Sequence, residues 1–222
     1  MQKFDTAAPV TAVVDIAAGR IQFIAADRTD TTVEVRPANP TKSRDVKAAE
    51  QVTVGFADGV LRVKAAAAKN RLLGSSGAVE VTVQVPTGSR VEAKAAAAEF
   101  RGVGRLGDVD FEGGHRTVKI DETTGARLRG LDADIVIGRL TGPGEISTQQ
   151  GNVNVTEATG GALTLSTQQG DINVTAGRGV SAALDAGTMY GRISNSLRNE
   201  GGSPDLTIKA TVAQGDITAT SL

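Results

Sequence analysis

The chain has no cysteine and no tryptophan, a single histidine and a single tyrosine, and only 3% aromatic residues in 222 positions. Without cysteine there can be no disulfide, no thiolate metal site and no cysteine nucleophile. The lone His115 cannot build a histidine cluster. With so few aromatic rings, a core must come from Val, Ile, Leu and Ala, and platforms for stacking sugars are scarce. Charge is balanced too: 24 basic against 25 acidic residues leave a net charge of −1, which gives no bulk attraction to a phosphate polymer and argues against nucleic acid. No run reaches the roughly 20 apolar residues that span a bilayer. The opening Met1-Gln2-Lys3-Phe4-Asp5-Thr6 is not a secretory leader, and Asp15 interrupts the first apolar stretch, Val10 to Ala18. The expectation is a cytoplasmic protein that does not insert into membrane.

Glycine, by contrast, is abundant, at 27 residues, and it recurs inside a repeated phrase. The chain reads Gln150-Gly151-Asn152-Val153-Asn154-Val155, then Gln169-Gly170-Asp171-Ile172-Asn173-Val174. It returns as Tyr190-Gly191-Arg192-Ile193-Ser194-Asn195 and Gln214-Gly215-Asp216-Ile217-Thr218-Ala219. These glycines are 19, 21 and 24 residues apart. A period near 20 with a glycine corner and apolar/polar alternation marks a stacked repeat. One such unit is too short to bury a core and must lie on its neighbours.

Aligning the phrases gives columns. Asp108, Asp134, Asn152, Asp171, Arg192 and Asp216 fall in one, polar throughout and suited to a corner. Val109, Ile135, Val153, Ile172, Ile193 and Ile217 fall in the next and should point inward. Asn154, Asn173, Ser194 and Thr218 form an outward polar ladder. A second strand precedes each corner: Glu145 to Thr148, Leu163 to Thr167, Val180 to Leu184, Leu206 to Ala210. Successive coils would pair as parallel strands. The predicted fold is all-β, a right-handed parallel β-helix-like solenoid over residues 89–222 with repeats of about 18–26 residues. The coil ending Thr220-Ser221-Leu222 should leave an open C-terminal edge.

Residues 1–88 are strand-like without the repeat and are expected to cap one end. Thr32 to Arg36 alternates and stops at Pro37; Asp58-Gly59 joins two alternating runs as a hairpin. Val79 to Val85 is the cleanest alternation of all. Pro37 to Glu50 reads as a loop with at most one helical turn, and Lys64 to Gly77 as a strand end followed by a flexible loop. Lys94 to Glu99 supplies small residues for the first coil.

The stretch Val79-Glu80-Val81-Thr82-Val83-Gln84-Val85-Pro86-Thr87-Gly88 and the Gly-Asp-Val/Ile phrases after it resemble the bacterial "putative adhesin" families of β-strand-repeat proteins, the DUF4097 group. Asp185 to Asn195 and Gln214 to Ala219 resemble its actinobacterial members. The resemblance spans roughly residues 10–222. It implies a right-handed β-helix-like fold and no particular activity.

The residues bear on several chemistries. Asp108, Asp110, Asp132 and Asp134 could form the carboxylate cluster of a carbohydrate-active enzyme; the simpler reading is that Asp and Asn fill glycine-flanked corners. Tandem Gly-Gly-x-Gly-x-Asp units for Ca²⁺ are lacking, as are a Gly-x-Ser-x-Gly elbow and a phosphate-binding Gly-x-x-x-x-Gly-Lys. Thr148, Thr167 and Thr188 stack before their glycines but do not make a regular ice-binding face. Tyr190 stands where other coils carry Gln, and either fills a packing defect near Met189 or anchors a partner, packing being the simpler reading. The sequence therefore points to a non-catalytic binding or scaffolding module without cofactor or metal. Its partner would be a protein, or itself through the C-terminal edge. The candidate binding residues are Tyr190, Asn154, Asn173, Asp108, Asp134 and Asp171. A self-assembling oligomer or filament is the first alternative and the carbohydrate-active enzyme the second.

Overall fold

Strand alternation decides nearly every local structure in this chain, because apolar residues at every second position bury one face of each strand. The computed structural model describes residues 1–66 and 77–222. Among these residues, seventeen strands and one helix make an all-β fold whose strands join in one long sheet that does not close on itself. The N-terminal elements are β1 (Gln2–Asp5), β2 (Thr11–Ala26), β3 (Asp30–Pro37), α1 (Ser43–Glu50), β4 (Thr53–Ala57), β5 (Val60–Lys64) and β6 (Val79–Pro86). Next come the long β7 (Arg90–His115) and β8 (Val118–Asp132). Short strands follow: β9 (Ile135–Leu140), β10 (Gly144–Gln150), β11 (Val153–Ala158), β12 (Gly161–Gln169) and β13 (Ile172–Ala176). The last are β14 (Ala182–Tyr190), β15 (Ile193–Ser196), β16 (Leu206–Gln214) and β17 (Ile217–Ser221).

The N-terminal part mixes pairings. β1 with β3, β3 with β6 and β4 with β5 are antiparallel. β2 runs parallel to β5, β6 and β7. The Asp58-Gly59 hairpin forms between β4 and β5, with φ of 52° and 74° at its two central residues, the signature of a type I′ turn. The segment read as a loop contains the helix α1. Asp45 in its first turn is buried and accepts the Ala78 N–H at 3.0 Å, and Ala48 and Ala49 pack on the core. Good helix formers at its end and this distant tie outweigh the two prolines upstream. The reading of Lys64 to Gly77 as a flexible loop falls almost wholly outside the described residues.

From β7 onward the pairing is parallel, in two series. One arm runs β7, β8, β10, β12, β16, β14. The other runs β8, β9, β11, β13, β17, β15. Between the arms lies a continuous core, with Leu128, Ile146 and Leu165 on the first arm and Phe100, Ile135, Val153, Ile172 and Ile217 on the second, all at most 1% exposed.

The order of the last two layers departs from sequence order. β16 and β17 sit between β12/β13 and β14/β15. The unpaired edge therefore belongs to β14/β15 and not to the C-terminal strand, which corrects the expectation drawn from sequence. Composition explains the choice. Layer 206–221 turns Leu206, Ile208, Ala210, Val212, Ile217 and Ala219 inward, each at most 1% exposed. At matching positions layer 182–196 carries Thr188 opposite Val212 and Asn195 opposite Ala219. The more apolar layer is buried on both sides and the more polar one ends the stack, as terminal repeats do.

Candidate functional site

Each corner of the second arm is built by a glycine and the Asp or Asn after it. Gly151, Gly170, Gly215 and Gly191 have φ of 117°, 136°, 142° and 155°, and a side chain there would strike the backbone of the neighbouring layer. The next residue's carboxylate or amide reaches across. Asp134 Oδ1 accepts the Asn152 N–H, Asn152 Oδ1 the Asp171 N–H, Asp171 Oδ1 the Asp216 N–H, and Asp216 Oδ1 the Arg192 N–H, all at 2.8 Å. Parallel strands leave these corner N–H groups without a ladder partner, and the Asx side chains satisfy them. The exception in the column, Arg192, lies in the terminal layer, where no further N–H waits to be capped.

That ladder fixes the role of Asp134 and Asp171: they hold the next layer. Replacing Asp171 with Ala should cost about 1 kcal/mol by analogy with a lost cap, while Asp171→Asn should cost much less, since Asn152 already serves in the same way. Chemical denaturation of the two variants checks this, and equal losses would contradict it.

Asp108 does not belong to the column. It pairs with Gly125 on the first arm, and Val109 stands opposite Ala126, so the alignment of these two residues with Asp134 and Ile135 is corrected. The reason is local: Leu106 before Gly107 is buried, whereas true corners carry exposed Gln150, Gln169, Gln214 or Tyr190 at that place. Asp108 accepts the Thr124 hydroxyl at 2.9 Å and lies 3.8 Å from Arg90. Asp110 lies 3.9 Å from Arg127. Asp132 stands opposite His115, with 3.7 Å between its Oδ2 and Nδ1, seven residues along the strand from Asp108. At about 3.3 Å per residue the separation is roughly 23 Å, far beyond the 5–9.5 Å between paired carboxyls in glycosidases. The four carboxylates expected to cluster are thus split between two places. Among the described residues no three His, Asp or Glu side chains come together as a metal site.

The outward face of the first arm is laced with charge at its N-terminal side. Lys94 and Glu112 are 3.2 Å apart, and Glu145 bridges Arg127 at 3.4 Å and Arg129 at 3.2 Å. Arg90, Asp108, Asp110, Arg127 and Glu145 line a shallow cavity of about 430 Å³. Sequence reading missed these basic residues, because cross-strand partners become visible only once the register is known. A carboxylate held well off its ordinary range lies elsewhere. Asp30, bound first by Arg28 and then by Lys3, is lowered to about 2, and it ties β1 to β3.

Asn154 and Asn173 are exposed neighbours in the order Asn154, Asn173, Thr218, Ser194. Tyr190 is 71% and Met189 76% exposed, so Tyr190 does not fill a packing defect. Thr148 and Thr167 are buried and donate to corner carbonyls, Thr148 to Gln150 and Thr167 to Gly151, so they present no surface array. No helix among the described residues is long and apolar enough to cross a membrane.

No known family profile matches the chain, and no curated protein is significantly similar to it in sequence. A solved structure does share its fold. A putative adhesin from Bacteroides fragilis aligns over 98% of this chain and 95% of its own at 15% identity, with a TM-score of 0.55. A putative adhesin and a putative lipid binding protein, both from Parabacteroides distasonis, align less closely. Their TM-scores are 0.42 and 0.46, at 15% and 10% identity, over 100% and 98% of this chain and 95% of each of theirs. At 15% identity the likeness to the Bacteroides fragilis protein is one of fold.

Proposed function

We propose that the chain is a right-handed parallel β-helix-like solenoid acting as a non-catalytic binding module of the DUF4097 type. The observation that carries the reading is the corner ladder. Asp134, Asn152 and Asp171 are each engaged with a backbone N–H of the next layer at 2.8 Å, and Asp108 and Asp110 stand far along the strand from Asp132. What remains for function is the exposed relief of the stack, including Tyr190, Asn154 and Asn173, and the Arg90–Glu145 cavity beside Asp108. The parallel register of both arms and the fold shared with the Bacteroides fragilis putative adhesin support it. Residues 1–88 would act as the cap and 89–222 as the repeat body.

A second reading, contact between copies, is favoured by one observation: among the described residues β14 and β15 have a strand neighbour on one side only, and Ile193 there is 46% exposed. Immobilised chain passed over panels of glycans, proteins and its own soluble copies, with reducing-end release followed in parallel, tests both. Retention without product is the expected result. Product formation, or no retention by anything, would overturn the binding module, and retention of its own copies alone would favour the second reading.

A further inference from the structure

The outward face of the first arm changes character along the stack. In the layers of β7 and β8 the stripe beside the corner carries Glu112 and Arg129; in β10, β12 and β16 that stripe is uncharged, the charges of Glu145 and Lys209 standing two residues further back along their strands. Ser147, Ser166 and Thr211 stand in register on successive layers. Two residues further along come Gln149 and Gln168, then the small Ala213, then Met189 on the terminal layer. These residues line a groove of about 480 Å³ whose floor is Thr148, Thr167 and Val212. Its volume lies within the range of small-ligand sites, roughly 300–1,000 Å³. No ionisable side chain lines it. The floor threonines point their hydroxyl protons at corner carbonyls, so the groups free to meet a ligand are Gln149, Gln168, Ser147, Ser166 and Thr211. The gap over Ala213 is bounded by Met189, and Tyr190 follows it, both largely exposed.

We infer that this groove is a binding site for a neutral glycan chain lying along the stack; the inference deepens the binding-module reading and rests on it. Amides and hydroxyls both donate and accept, which suits the hydroxyls of an uncharged sugar. Their repeat of about 4.8 Å per layer is close to the length of one sugar unit in an extended chain, so successive layers can meet successive sugars. An anionic polymer would find no cation in the lining. The exposed Met189 and Tyr190 offer an apolar surface with a polar tip where a sugar face can rest. With a single tyrosine the site binds through its amide and hydroxyl rows more than through stacking.

The test uses the full ¹⁵N-labelled chain and amide correlation spectra. Probes are cellohexaose, laminarihexaose, maltohexaose and mannohexaose, with hexagalacturonate as the charged comparison. At least one neutral hexasaccharide should shift the Gln149 and Gln168 side-chain amides and the Met189 and Tyr190 backbone signals. Gln168→Ala should weaken that binding about fivefold, the equivalent of one hydrogen bond, and Gln22→Ala on the other arm should leave it unchanged. Absence of shifts with every neutral probe overturns the inference. Shifts with hexagalacturonate alone, around Arg90 and Arg127, overturn it while the binding module stands. Movement of the same signals with protein concentration and no sugar also overturns it, in favour of contact between copies.

Discussion

Replacing Gly170 with alanine should cost about 3–5 kcal/mol and leave little folded protein at physiological temperature. Gly170 has φ of +136°, a region that a residue with a Cβ enters at a cost of about 1–3 kcal/mol. Sterics add to this strain. A Cβ there would lie 2.2 Å from the carbonyl oxygen and 2.6 Å from the carbonyl carbon of Gly151. Both atoms are backbone in a corner whose flanking strands β10 and β11 are held on either side, so neither can swing away as a side chain would. The fault would spread, since Gly170 offers its own carbonyl to the Gly215 corner, where the corresponding distance is 2.0 Å. Gly187→Ala is the control. It lies on the terminal layer, and a Cβ added there would meet nothing within 4 Å. An exposed substitution of this kind changes stability by no more than about 0.5 kcal/mol. Urea unfolding of both variants checks the contrast, and similar midpoints would refute the role given to the corners.

The second large effect is expected at Phe100. This ring is fully buried between Phe23 and Phe111, with centroid separations of 5.9 and 4.9 Å. In a chain with five phenylalanines and no tryptophan, the trio is the bulkiest part of the core. It bridges β2 to both halves of β7. Phe100→Ala removes the central ring, and the sheets on either side cannot collapse onto the space, so a loss of about 3–5 kcal/mol follows. For a chain of this length that lowers the melting temperature by about 10 °C. Phe56→Ala should cost less, because Phe56 stacks only on Phe4 at 5.3 Å and both are partly exposed. Calorimetric melting of the two variants decides it; a larger loss at Phe56 would place the core elsewhere.

Much of this was visible in the sequence, for a physical reason. A strand stacked on identical neighbours must satisfy the same demands each time, so Gly, then Asp or Asn, then Val or Ile recurs at Gly151, Gly170 and Gly215, and the inward column follows at once. Two things were not visible. Asp108 follows a glycine and precedes a valine, but the buried Leu106 shows that this phrase is not a corner; the distinction lies in whether the residue before the glycine is buried, which the fold decides. The order of the last layers was hidden because neighbours in a parallel stack need not be neighbours in sequence. The Asp216 N–H bonds Asp171, 45 residues earlier. The hints were Arg192, whose side chain can accept no hydrogen bond, and Asn195 at an inward position, both marking an end. Alternation along β10 and β12 turns Ser147, Gln149 and Gln168 of the groove outward. That Met189 bounds it depended on the layer order.

The inserted layer has a consequence for biosynthesis. Residues 182–196 leave the ribosome before residues 206–221, and the place beside β12 and β13 is then vacant. The earlier segment fits that berth: Leu184 can stand on Leu163 and Ile193 on Ile172, in the registers that Ile208 and Ile217 finally occupy. A nascent chain can thus close a provisional stack one layer short. The finished arrangement gives that seat to Leu206, Ile208 and Val212, so the layer order follows hydrophobicity and not the order of synthesis.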